Sequence, residues 1–170
     1  MRAMNIITIT SSLFLLFSCY GFEDLGMGGG KTYQFDCTRG QLQSCLDSFK
    51  IRHPEYEIPY KLKKWDFWDV AGYGELSGVV FYFSRQKDFH EDLYYVTLIK
   101  DKLKDTIYTK PSYVAVRSVL RLNQKDKWPD VNKLDKSEQE IIEKRFRTEV
   151  LEKINLDPCG CQLKGVQVRN

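Results

Sequence analysis

Histidine is scarce in this chain, two residues in 170, which excludes a histidine-rich metal site. Charge of one sign is lacking too. Lys and Arg number 26 against 23 Asp and Glu, a formal charge of +3, far from the strong positive field of a nucleic-acid binder. No apolar run is long enough to cross a bilayer as a helix. The run over Ile6–Phe17 has twelve residues, where a span needs roughly 20. Gly30-Lys31-Thr32 ends like a phosphate-binding loop, but the position six before the lysine is Leu25, where that loop requires glycine. Zinc, calcium-loop and dinucleotide motifs are absent, Ser84 and Ser112 lack the glycines of a nucleophile elbow, and no internal repeat is present. The expected cofactor content is therefore none.

What is present describes a folded, exported chain. Aromatic residues reach 14% and apolar residues 42%, too rich for a disordered polymer. Arg2, the apolar run to Phe17 and the small Ser18 have the layout of a secretory signal. The end of that run, Leu16-Phe17-Ser18-Cys19, resembles the lipobox of bacterial lipoproteins. The resemblance covers residues 1–19 only. It implies that Cys19 receives a diacylglycerol on sulfur, that the chain is cut before it, and that the new amino group is acylated, for example with palmitate. The expected location is the cell envelope, outside the cytoplasm, with the membrane as first partner.

Cysteine arithmetic agrees with export. Five cysteines less Cys19 leave Cys37, Cys45, Cys159 and Cys161, an even set for an oxidising compartment where disulfides persist. A bridge across Gly160 would close a very small ring. The favoured framework is two bridges from the first helix region to the tail, either 37–161 with 45–159 or the reverse. A four-thiolate zinc site is the alternative, with a Cys-x7-Cys spacing unlike the usual knuckle.

The pattern along the chain predicts residues 1–18 as signal peptide, 19–34 as a flexible glycine-rich tether, and 35–170 as one domain. Leu42, Cys45, Leu46 and Phe49 recur at helical spacing over residues 39–52, and Pro54 ends that helix. Segments 79–84, 93–100 and 113–122 are β-branched and aromatic and read as strands. In the last of these, Val114, Val116, Leu120 and Leu122 fall on one face and Arg117 and Arg121 on the other. Ser137-x-x-Glu140 reads as a capping box before a long helix with Ile142, Phe146, Val150 and Ile154 on its apolar stripe. Residues 162–168 could add a short strand. The expected fold class is α+β: an antiparallel sheet of three to four strands, one face packed and one partly wet, with an N-terminal helix and a long C-terminal helix.

The richest binding candidate is Trp65, Asp66, Trp68, Asp69 and Tyr73, aromatic rings interleaved with carboxylates and flanked by glycines. Such residues anchor protein interfaces or stack on sugars, and they equally fit a core. His90-Glu91-Asp92 is a histidine beside acids, in a polar connection where solvation is the ordinary fate. Lys61, Lys63 and Lys64, and later Lys100, Lys102, Lys104 and Lys110, form two basic clusters that read as solvated faces, with an anionic partner or the lipid surface as the alternative. The expected function is a lipid-anchored binding module for an envelope protein or glycan, one version being an immunity-type protein that sequesters a partner in the periplasm. A periplasmic enzyme acting on glycan, using Asp66, Asp69 and Glu75, is the second class. A structural envelope component is the third.

Overall fold

The computed structural model describes residues 31–65, 78–87, 89–99, 110–122, 127–156 and 158–167. The fold is α+β, built on one antiparallel sheet. The strands are β1 (Thr32–Phe35), β2 (Gly78–Phe83), β3 (Asp92–Ile99), β4 (Ser112–Arg121) and β5 (Leu163–Gln167), in the order β2-β3-β4-β1-β5. The sheet thus has five strands rather than three or four. The added strand is β1, which pairs Tyr33 with Val114 on one side and with Val166 on the other. Its place between β4 and β5 moves residues 32–34 out of the expected tether and into the sheet. Thr32 and Tyr33 are 1% exposed and Phe35 is 0% exposed, which no tether would be.

The helices also differ in position from the expectation. Helix α1 (Arg39–Arg52) follows β1 and is not the first element. It is closed by a capping box, in which Thr38 Oγ1 accepts from the Gln41 amide and Gln41 Oε1 accepts from the Thr38 amide. It buries Leu42, Cys45, Leu46 and Phe49. The second helical segment begins as α2 (Lys136–Phe146), passes through a π turn (Arg147–Leu151) and ends as α3 (Glu152–Asn155). Its cap is Asp135, not Ser137. The Asp135 carboxylate accepts from the Glu138 amide at 2.9 Å and from the Ser137 hydroxyl at 2.6 Å, so the serine serves the cap as a donor.

Both faces of the sheet are packed. Tyr33, Phe35, Phe81, Phe83, Tyr94, Val96, Val114, Val116 and Val119 meet the apolar stripes of the helices on one face. On the other, Val80, Leu93, Tyr95 and Leu120 cluster with Ile58, Leu62, Trp65, Tyr82, Leu122 and Trp128. All eight residues of β3 are buried. The even alternation expected for β4 fails at one point. Tyr95 pairs with Ser118 but Val96 pairs with Val116, leaving Arg117 as an extra residue in a bulge. A bulge inverts the facing of everything beyond it. Val119 therefore joins the helical face with Val114 and Val116, while Leu120 and Leu122 cross to the second.

Disulfides Cys37–Cys161 and Cys45–Cys159 fasten the end of β1 and the middle of α1 to the tail. Gly160, between the two tail cysteines, has φ +83°, a left-handed turn that glycine adopts without steric cost. Among the described residues, no helix is long and apolar enough to cross a membrane.

Candidate functional site

Of the residues singled out in the sequence, Cys19, Asp66, Trp68, Asp69, Tyr73 and Glu75 lie outside the described residues, as do Lys100, Lys102 and Lys104. Trp65 is described. It ends the 3-10 turn Tyr60–Trp65, opened by the Leu62 amide donating to the Pro59 carbonyl at 2.7 Å. Its ring is half-buried against the second-face cluster and carries the Lys64 ammonium 4.8 Å from its centroid. Core and surface readings of Trp65 each capture part of this placement. Beside that cluster, Tyr82 donates to Glu91 Oε1 at 2.7 Å. Burial, then the Glu91 hydrogen bond, pushes its hydroxyl up to about 12.

Glu91 is thereby committed to Tyr82, and the expected His90-Glu91-Asp92 triplet separates. His90 is exposed, and its carbonyl accepts from Arg145. Asp92 is 4% exposed, and its Oδ1 has no hydrogen-bond partner among the described residues. Burial raises its carboxyl to about 6 against the opposing pull of Arg121, Arg145 and His90. His53 caps the end of α1, stacked on Phe49 at 4.4 Å with Nδ1 3.1 Å from Glu55.

The densest polar network centres on Arg145, which sequence reasoning missed. It is 0% exposed. Nε donates to Glu149 Oε1 at 2.9 Å, Nη1 to the His90 carbonyl at 2.6 Å and Nη2 to the Ser84 carbonyl at 2.5 Å. The guanidinium carbon lies 4.9 Å from the ring centres of both Phe83 and Phe89. Glu149 also accepts from Tyr56 at 3.2 Å and Gln86 at 3.4 Å, and Lys153 donates to the Tyr56 hydroxyl at 3.2 Å. Burial, followed by the Glu149 charge, holds Tyr56 protonated well above the ordinary tyrosine range. A tyrosine so held donates hydrogen bonds and does not exchange protons near neutrality. The network straps the β2–β3 hairpin to the helix. One signal existed in the sequence: Arg145 sits between Ile142 and Phe146, inside the apolar stripe.

The cysteine corner borders a groove of about 700 Å³, lined by Thr38, Gln41, Ser44, Ser48, Lys110 and Cys159. The sulfurs of Cys45, Cys159 and Cys161 lie within 4.8 Å of one another. All three belong to disulfides, so none is the thiolate a zinc ion would require. Compared with known proteins, the chain matches no family model, no curated protein and no solved structure.

Proposed function

We propose that this chain is a lipid-anchored protein of the bacterial cell envelope that works as a binding module, in the manner of an immunity protein sequestering a protein partner outside the cytoplasm. One observation carries the reading. Four of the five cysteines close two disulfides, the chemistry of an oxidising compartment, and the one remaining is Cys19 at the end of the signal-like segment. The lipid at Cys19 is then the membrane anchor. Two or three acyl chains hold firmly, since each buried methylene contributes about 0.8 kcal/mol.

The partner surface is the segment opened by Trp65 and continued by Asp66, Trp68, Asp69 and Tyr73. The half-buried Trp65 ring supports this, because an anchor residue packs from beneath and offers its remaining face outward. Cells fed a fatty-acid analogue should label the wild type and leave Cys19→Ser unlabelled. Equal labelling of both would refute the anchor. Trp65→Ala should stay membrane-bound and folded while its captured partner is lost.

A further inference from the structure

A 3-10 helix repeats every three residues, so positions i and i+3 share a side. In the turn Tyr60–Trp65, Leu62 and Trp65 occupy the inner side and pack on the second-face cluster. Tyr60, Lys61, Lys63 and Lys64 take the other two sides. All four are exposed, Tyr60 at 91%. Lys64 rests over the Trp65 ring, and Lys61 and Lys63 make no ion pair among the described residues. Five successive positions thus present three ammonium groups and one amphipathic ring, on a turn held from below by a tryptophan and a leucine.

We propose that this turn docks on an anionic lipid surface, with Tyr60 at headgroup level and the three lysines against lipid phosphates. Tyrosine favours that depth because its ring is apolar and its hydroxyl wet. Lysine is depleted at protein–protein interface cores, and its compact, strongly hydrated charge suits a diffuse phosphate layer. A lipid surface therefore fits the composition better than a protein groove does. The inference rests on the reading of Cys19 as the anchor, which supplies the proximity. Eleven residues, and so twelve Cα–Cα steps, separate Cys19 from Lys31, at most about 40 Å of chain. That is close to the diameter of a domain whose radius of gyration is about 14 Å. Each lysine near an anionic surface gains roughly a five-fold preference for it, so three shift the docking equilibrium on the order of 100-fold between anionic and neutral bilayers.

The test uses the full chain extracted from membranes and reconstituted into vesicles of phosphatidylcholine alone, or of phosphatidylcholine with phosphatidylglycerol. Flotation reads the anchor, and the acetylation rate of each lysine, by mass spectrometry, reads the turn. Lys61, Lys63 and Lys64 should react at least about five-fold more slowly on the anionic vesicles. Lys133, whose side chain is 73% exposed, should react equally on both, and high salt should abolish the protection. Equal rates on both vesicles with normal flotation overturn the docking and leave the anchor standing. Failure to float with neutral vesicles overturns the anchor, while the rates on anionic vesicles still decide the turn. Protection by lipid-free envelope protein, and none by vesicles, overturns the proposal in favour of a protein partner.

Discussion

Asp92 shows how burial sets the behaviour of one residue. Its carboxyl is raised from 3.8 to about 6 because desolvation outweighs the lowering pull of Arg121 on β4, Arg145 on α2 and His90 before β3, with Glu138 opposing that pull. A carboxyl that holds its proton more tightly in the folded state contributes stability below its unfolded value. That contribution is lost as pH rises through the folded value. The wild type should therefore lose about 2–3 kcal/mol between pH 4 and pH 7 from this group. Asp92→Asn should remove that slope and equal or exceed the wild type at pH 7. Arg121 and Arg145 are not orphaned by the change, since they pair with Glu138 and Glu149. Urea unfolding at the two pH values reads both effects, and a variant weaker than wild type at pH 7 would contradict the assignment. Arg145 is the converse case, a buried charge fully engaged. Arg145→Met would strand the Ser84 and His90 carbonyls and leave Glu149 facing Tyr56 without its cation. The expected loss is about 3–5 kcal/mol, partly recovered by adding Glu149→Gln. Full additivity of the two changes would mean that the pair does not act as one unit.

At the level of elements, the two disulfides are nested. Their sequence separations are 124 and 114 residues, so once one has closed, the other closes a ring of about ten. In the chain-entropy model, removing either bridge alone costs roughly 3 kcal/mol and removing both roughly 7 kcal/mol. Thermal unfolding of Cys37→Ala/Cys161→Ala, Cys45→Ala/Cys159→Ala and the four-residue variant should reproduce that pattern. Equal losses for one pair and for both would contradict it. The same elements show what was legible in advance. The stripe Leu42, Cys45, Leu46, Phe49 and the cysteine count sufficed for α1 and for bridges to the tail, because helical period and thiol parity are local facts. β1 was hidden because Thr32–Phe35 is four residues long and follows a glycine run, and its burial comes from partners some 80 and 130 positions away in sequence. The bulge at Arg117 was hidden because only pairing with β3 creates it. Trp65 was singled out from its aromatic context, while the Arg145 strap was missed because a charged residue in an apolar stripe reads as a flaw in the period rather than as a buried tie.

At the scale of the whole molecule, the sheet separates two kinds of surface. One face is sealed by the helices and by Arg145. The other is covered in part by the Tyr60–Trp65 turn, which leaves its lysines and Tyr60 outward. In the proposed arrangement, a chain of twelve residues leads from a lipid at Cys19 to the start of β1, Tyr60 and the lysines of the turn settle on headgroups, and the segment opened by Trp65 meets the partner at the membrane surface. Every part of that arrangement depends on export and acylation. The decisive measurement is the intact mass, without reduction, of the full-length protein extracted from cell membranes. The expected result is a chain beginning at Cys19, heavier by a diacylglycerol and an acyl group, and lighter by the four hydrogens lost to two disulfides. A chain that keeps Met1, carries no lipid mass and retains five free thiols would contradict it.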